Sequence, residues 1–312
     1  MPFRLQAASL PDLDGARDAL AAQLFTPCGL SQPQSIGFVP PRGVDHAPLI
    51  EAVAGGRHWL LQVRSQQRLL PASVVREQVQ EAAERIEAET GRKPGRKALA
   101  ELKEEVVHRL LPQAFTKTVE QRIWLDLHGG WLLLDAGSMA KADALISLLV
   151  AALPGLAVAP LHTAESPAAC MTAWLLDGVA PEGFSIGRDT ELRSPGDERA
   201  TVRYVRHALE GDDVRAHLQE GKRPTRLALA WRDRVALTLT ETLTLKGVAL
   251  LDVVLEQRGS PQGADEAFDA DAALTVLELG PLLPALVEAL GGEAAPGTPG
   301  TQPAASAVST SG

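Results

Sequence analysis

A pair of amphipathic helices interrupted by a basic turn constrains the fold most strongly. Apolar residues recur at helical spacing on both sides of a break formed by Gly91 and Pro94. The first helix is predicted to begin at Pro71, and the second ends at Pro112 because proline cannot continue a helix. Two helices joined by so short a connection pack side by side in opposite directions. The sequence therefore predicts an antiparallel helical hairpin within residues 71–115, with Arg and Lys at its turn.

The remainder of the chain is predicted to have an α+β fold with helices and mixed or antiparallel sheets. Residues 1–70 form an N-terminal α+β part of the body, and residues 116–291 form its central and C-terminal part, because strand-like and helix-like patterns alternate in both. Residues 292–312 are rich in Pro, Ala, Ser, Thr and Gly, so we expect a disordered tail there. This division predicts one body that carries the helical hairpin.

Three local patterns give further assignments. Ser9 is a candidate N-cap for a helix that runs to about Leu24. Residues 178–196 are polar and rich in turn formers, which predicts a loop. Residues 270–279 suit either a strand or a buried helix, since periodicity does not distinguish the two, and a separate helix is predicted over residues 281–290.

The charges are distributed unevenly along the chain. The 312 residues carry a formal net charge of −9, which argues against a uniformly basic nucleic-acid-binding protein. Residues 92–122 nevertheless hold eight Lys or Arg against four Glu (+4), and residues 199–234 hold nine against five acidic residues (+4). From residue 235 onward, two basic residues face ten acidic ones (−8). Because a surface potential depends on where charges lie, such a chain can bind a polyanion on one face.

Several protein classes are disfavoured by the sequence. No apolar run approaches the length of a membrane span, and the N-terminus has no basic-then-apolar signal pattern, so we expect a cytoplasmic protein without membrane contact. Glu105 and His108 have the spacing of a helical metal-binding motif, but a second such motif is not evident. Neither a metal nor a cofactor is therefore predicted.

The pattern Gly183–Gly187, GFSIG, matches the nucleophile elbow of hydrolases, in which Ser185 would be the nucleophile. That elbow requires a buried strand before the serine and a helix after it. Here Pro181 precedes the motif and polar residues follow it, so a chance match is the favoured interpretation. A hydrolase that uses Ser185 remains the alternative from another functional class.

The basic segments are the stronger functional signal, because Lys and Arg that neutralise phosphates bind nucleic acid without reading its sequence. Phe115 follows the proline-ended helix and could insert as an apolar wedge at a base step. Local sequence alone favours a Phe115 that packs under the hairpin. The candidate phosphate contacts are Arg92, Lys93, Arg96, Lys97, Lys117 and Arg122, followed in second rank by Arg203, Lys222, Arg223 and Arg226.

Several longer motifs occur in the order and spacing of a known family. They are FTPCG (25–29), GFVPP (37–41), ETGRK (89–93), LKEEVVHRLLPQAF (102–115), EGKRPTRLALAW (220–231) and FDAD (268–271). As a set, they make the chain resemble the RdgC family of recombination-associated proteins over nearly its whole length.

The resemblance implies a protein that is not an enzyme and that binds double-stranded DNA without sequence preference. Horseshoe-shaped subunits of the family pair into a ring-shaped homodimer that encircles DNA, is associated with the nucleoid and restrains RecA-dependent recombination. The resemblance places Phe115 at the ring interior, and Arg206 and His207 at a subunit contact. In the family a basic residue often stands at the position of Gln113, so one phosphate contact is expected to be missing here. Binding to single strands and a scaffold that acts directly on RecA remain open.

Overall fold

The structure is a computed structural model and describes residues 1–7, 10–196, 199–259 and 261–294. The strands are β1 (Pro2–Ala7), β2 (Gln34–Val39), β3 (Glu51–Val53), β4 (His58–Arg68), β5 (Thr116–Asp126), β6 (Trp131–Leu134), β7 (Leu156–Pro160), β8 (Phe184–Arg193), β9 (Thr201–Tyr204), β10 (Arg223–Trp231), β11 (Val235–Thr240) and β12 (Leu245–Leu250). The helices are α1 (Leu13–Ala21), α2 (Ala72–Thr90), α3 (Arg96–Leu110), α4 (Met139–Ala152), α5 (Pro167–Asp177), α6 (Asp212–Gln219), α7 (Asp252–Leu255) and α8 (Ala264–Ala289).

The first sheet contains seven strands in the order β2-β4-β5-β6-β1-β7, with β3 paired to β4. Side chains alternate between the two faces of β5. Ile123 and Leu125 are fully buried in one core together with Leu20 of α1 and Leu149 of α4, whereas Trp124 joins a second core. The two faces of this sheet therefore belong to different cores.

The second sheet contains five strands in the order β12-β11-β10-β8-β9. Its core is formed with α5, α6 and α8, and includes Met171, Leu218 and Leu283. Each pairing between named strands of either sheet is antiparallel. The α+β class is confirmed, and the alternative of mixed sheets resolves to antiparallel ones among the described strands.

Helices α2 and α3 form the predicted antiparallel hairpin. Val75, Ala83 and Val106 are buried between the hairpin and its surroundings, while most of its other residues are exposed. Gly91 ends α2 with a left-handed φ of 69°, and its N–H donates to the carbonyl oxygen of Glu87. Glycine adopts this conformation at little cost, which explains the break in helical periodicity.

The polar segment from residue 178 to 196 is not a loop over its whole length, because β8 occupies ten of these residues. Thr190 and Glu191 are buried there, between strands β9 and β10. Pairing on both sides satisfies the backbone, and tertiary contacts outweigh the low strand propensity of this sequence.

Two helix boundaries also differ from prediction. The N-cap of α1 is Asp12, whose side chain accepts a hydrogen bond from the Gly15 N–H at 2.9 Å, while the predicted cap Ser9 lies outside the described residues. Helix α8 runs without a break through Pro281 and Pro284. Burial of the leucines around these prolines compensates for the hydrogen bonds that they remove.

Helix α8 also corrects the expectation about membrane spans. Its 26 residues include an 18-residue stretch with a mean hydropathy of 1.5, so length and composition alone would let it cross a membrane. Leu279, Leu282 and Leu286 nevertheless pack into the core of the second sheet, and its buried Glu278 pairs with Arg234. In this structure α8 serves as a core helix.

The start of the predicted tail is ordered. Ala164 donates to the carbonyl oxygen of Gly292, and Ala294 donates to that of His162. The carboxylate of Glu293 lies 2.5 Å from Nη2 of Arg4. Any disordered tail therefore begins no earlier than residue 295, and residues 295–312 lie outside the described part of the chain. The proposed domain boundaries stay predictions.

Candidate nucleic-acid interface

The turn between α2 and α3 carries four exposed cations, which we call the basic turn: Arg92, Lys93, Arg96 and Lys97. Lys97 lies 3.9 Å from Glu101, one helical turn further on, and both side chains are largely exposed. A solvated pair of this kind is weak, so Lys97 remains able to contact another anion.

The position of the basic turn on α3 concentrates positive potential. Arg96 and Lys97 are the first two residues of α3, and the first turn contains no acidic residue. The N-cap is Gly95, which has no side chain to accept from the free N–H groups. Because the N-terminus of a helix already carries partial positive charge, these cations lower helix stability and favour binding of an anion.

Phe115 is 86% exposed at the other end of α3. The prediction that it packs under the hairpin is therefore wrong. A short 3₁₀ turn, Leu111–Gln113, follows α3 and buries Leu111, whereas Phe115 comes directly before β5 and points into solvent. An apolar ring held in solvent is available to contact a partner.

Arg68 holds the turn that presents Phe115. Its Nη1 donates to the carbonyl oxygens of Leu111 at 3.0 Å and Ala114 at 3.2 Å, and Nη2 donates to that of Gly29 at 3.1 Å. The Leu69 N–H also donates to the carbonyl oxygen of Phe115 at 2.7 Å. Sequence reasoning missed Arg68, because nothing in the sequence around this residue indicates that its side chain binds backbone carbonyls more than 40 residues further along the chain.

The basic turn and Phe115 are not adjacent. Helix α3 has 15 residues, which at about 1.5 Å per residue separates them by roughly 22 Å. A nucleic acid that contacts both must extend along α3. The two sites are therefore parts of an elongated surface rather than one compact pocket.

Lys117 and Arg122 lie on opposite faces of β5. Lys117 is exposed and shares the odd-numbered face with Ile123, whereas Arg122 shares the even-numbered face with Trp124. Arg122 lines a cavity of about 530 Å³ between the two sheets. These two cations therefore cannot face the same stretch of duplex, and Lys117 is the one that lies near Phe115 in the chain.

The second-rank cations have partners within the protein. Arg203 and Arg226 both bind the buried carboxylate of Glu191; Nη2 of Arg203 lies 2.7 Å from Oε2. Lys222 lies 2.6 Å from Oε2 of Glu220, whereas Arg223 is exposed on β10. Sequence reasoning missed Glu191, since it lies in the segment that was predicted to be a loop.

The environment of Glu191 keeps its carboxylate charged. Burial alone raises the pKa, but hydrogen bonds from Arg203 and Thr225 and the charge of Arg226 outweigh it and lower the pKa of Glu191 to about 2. The local charge of residues 199–234 is therefore partly neutralised by a residue outside that range.

The residues predicted at a subunit contact, Arg206 and His207, lie on an exposed turn after β9. Arg206 has a φ of 53°, and its N–H donates to Oδ1 of Asp189 at 2.9 Å. The imidazole of His207 lies 3.8 Å from Oδ2 of Asp213. Exposure leaves both side chains accessible, and their role at a subunit contact stays a prediction.

Comparison with known proteins identifies the family. A family model described as "Putative exonuclease, RdgC" matches residues 1–293. The chain is 46% identical over 291 residues to the recombination-associated protein RdgC of Cupriavidus pinatubonensis, covering 93% of this chain and 96% of the relative. The chain belongs to the RdgC family.

Further RdgC relatives are as similar. That of Dechloromonas aromatica is 46% identical over 296 residues, covering 93% of this chain and 96% of its own. That of Burkholderia cenocepacia is 44% identical over 303 residues and covers 97% of both chains.

The curated RdgC relatives are named for recombination, whereas the family model's description names an exonuclease. Within the described ranges, no group of three or more His, Cys, Asp or Glu is placed to hold a metal ion.

The GFSIG motif of this RdgC-family chain is not a nucleophile elbow. Ser185 is the second residue of the ten-residue strand β8, and no helix follows it directly. Gly183 has a φ of 77° and packs against the ring of Trp231, while Gly187 packs against Ala228. The glycines therefore have structural reasons to be present, and the interpretation of GFSIG as a nucleophile elbow is wrong.

Proposed function

We propose that this chain binds duplex DNA without sequence preference, through phosphate contacts at the basic turn and an apolar wedge at Phe115. Membership of a family whose curated members are recombination-associated supports a role at DNA. The wedge inserts between base steps while the cations hold the backbone.

The observation that carries this proposal is the placement of four cations at the N-terminus of α3. Charges there oppose the helix dipole and have no acidic residue in the first turn to balance them. Residues that lower stability at an exposed site are expected to be retained where they are needed for binding.

Following the family resemblance, we further propose that two copies close into a ring around the duplex. Occupation of DNA by this homodimer then restrains RecA-dependent strand exchange, with the nucleoid as its location. A ring predicts that dissociation from a closed circular duplex is slower than from a linear duplex of the same length and salt. Equal dissociation rates would contradict closure around the DNA.

The decisive experiment measures binding of a labelled random duplex across a salt series. Wild type should bind with a steep negative slope of log affinity against log salt, since about 0.9 counterions are released per phosphate contact. The double substitution Arg96→Gln/Lys97→Gln should reduce this slope by about two. Arg57→Gln removes an exposed cation from the turn between β3 and β4, at the end of β4 opposite Arg68, and is the matched control. Absence of binding at low salt would overturn the proposal.

Phe115→Ala tests the wedge. It should weaken binding by about tenfold or more without changing the salt slope, because no phosphate contact is removed. Leu277→Ala is the control, since Leu277 is an exposed apolar residue on α8, at 62%. An unchanged affinity in Phe115→Ala would remove Phe115 from the interface.

A scaffold that acts directly on RecA is the alternative. The two mechanisms differ in their response to DNA: inhibition by site occupation should disappear when DNA is in large excess, whereas inhibition by direct contact should persist.

A further inference from the structure

A row of polar side chains crosses four strands of the second sheet. Arg203 on β9 is the direct partner of Glu191 on β8, Glu191 is the partner of Arg226 on β10, and Arg226 is the partner of Thr240 on β11. Cross-strand partners point to the same face of a sheet. Antiparallel register therefore aligns residues that are far apart in the sequence on one face.

Three guanidinium groups converge on the single carboxylate of this row. In addition to the bonds from Arg203 and Arg226, Nη2 of Arg193 lies 3.4 Å from Oε1 of Glu191. Each guanidinium has five N–H donors, whereas a carboxylate offers about four acceptor positions. Glu191 cannot satisfy all of these donors, even with Glu241, which lies 3.9 Å from Nη1 of Arg193. All three arginines line the adjoining cavity.

The row forms one wall of a cavity of about 470 Å³, which we call the arginine cavity. Its other walls are Thr242 in the turn between β11 and β12, Lys246 at the start of β12, and the N-terminus of α4 with its N-cap Ser138. The cavity falls within the usual size range of small-molecule sites. Four cationic side chains line it, Arg193, Arg203, Arg226 and Lys246, against the carboxylates of Glu191 and Glu241. The net side-chain charge is therefore +2.

These features match the chemistry of one ligand class. Arginine forks bind phosphate oxygens in pairs, and threonine hydroxyls can supply further donors. The first turn of α4 adds partial positive charge on the opposite side. A net charge of +2 suits an anion with at least two negative charges, and the volume exceeds what a single phosphate group requires.

We propose that the arginine cavity binds a phosphate-bearing ligand larger than a single phosphate, at a site separate from the basic turn. The phosphate comes either from a free polyphosphate or from the terminal phosphate of a nucleic-acid strand. Both sources present the same oxygen atoms to the arginines. The cavity lies on the second sheet and α4, so it shares no residue with the basic turn or Phe115.

Titration calorimetry on the full chain tests the proposal with inorganic pyrophosphate and with a short single strand, with and without a 5′-phosphate. We expect saturable binding of pyrophosphate, weakened about tenfold or more by Arg203→Gln and by Lys246→Gln, since each removes charge-assisted hydrogen bonds. Lys246 is exposed and has no role in holding Glu191, so its variant separates ligand binding from folding. Lys103→Gln removes one positive charge elsewhere and should bind pyrophosphate as wild type does.

The arms of the experiment distinguish the sources. Pyrophosphate binding assigns a free polyphosphate, and binding only of the 5′-phosphorylated strand, sensitive to Lys246→Gln, assigns a strand end. The site is overturned if neither probe gives a heat of binding at millimolar concentration. It is also overturned if Lys246→Gln and Lys103→Gln lose the same amount of affinity. The basic-turn variant Arg96→Gln/Lys97→Gln should bind pyrophosphate normally, so failure of this site and failure of duplex binding can be told apart.

Discussion

The guanidinium of Arg68 donates a hydrogen bond to the carbonyl oxygen of Ala114 at 3.2 Å, one residue before the exposed Phe115. The same group also binds Leu111 and Gly29, so one side chain at the end of β4 joins the base of the helical hairpin to the loop before β2. The presentation of Phe115 therefore depends on a residue from another element.

Arg68→Gln should loosen this turn. Loss of hydrogen bonds from a charged donor to part-buried carbonyls is expected to cost about 1–3 kcal/mol of unfolding free energy. Hydrogen exchange of residues 111–116 should accelerate, and duplex affinity should fall although Phe115 is intact. Arg64→Gln is the control on the same strand, because Arg64 pairs with the exposed Glu120. Unchanged exchange in Arg68→Gln would contradict this role.

Arg96→Gln should stabilise the protein while it weakens duplex binding. Removing a cation from the N-terminus of α3 relieves its opposition to the helix dipole, which is expected to add about 0.3–1 kcal/mol of unfolding free energy. Arg109→Gln, in the last turn of the same helix, should have the opposite effect on stability. Urea unfolding measures both variants, and a loss of stability in Arg96→Gln would refute the electrostatic argument.

Glu191 should make stability depend on acid pH. Its pKa in the folded protein is about 2, below the ordinary value of 4.5, so its contribution is complete above the ordinary pKa and is lost as the pH falls toward about 2. Wild type should therefore lose more unfolding free energy between about pH 5 and about pH 3 than Glu191→Gln does. Glu104→Gln, an exposed substitution on α3, should follow wild type. Parallel pH curves for wild type and Glu191→Gln would show that the carboxylate contributes nothing.

Gly183→Ala should destabilise the protein and Ser185→Ala should not. A Cβ at residue 183 would lie 2.4 Å from the Trp231 ring on a backbone with a φ of 77°, so we expect a loss of about 2–4 kcal/mol. The exposed Ser185 hydroxyl should be replaceable within about 0.5 kcal/mol. Gly137→Ala, where a Cβ meets nothing within 4 Å, is the control. Unfolding measurements that rank Ser185→Ala below Gly183→Ala would be inconsistent with this structure.

Local patterns predicted the elements that depend on neighbours in sequence. The helical hairpin followed from the spacing of apolar residues and from Gly91 and Pro94. Strand β8 was missed because its polar residues are buried by partner strands on both sides. Helix α8 was divided at Pro281 because its continuity depends on packing against the second sheet.

The sequence by itself determined the hairpin, the basic turn and the family, because each depends on residues that are close together along the chain. Only the tertiary structure decided that Phe115 is exposed, that Lys117 and Arg122 face opposite sides, and that Arg203 and Arg226 share Glu191. The register of antiparallel strands brings together residues 12 and 35 positions apart. That register depends on which face of each strand is buried against its core, and the paired strands come from separate parts of the chain.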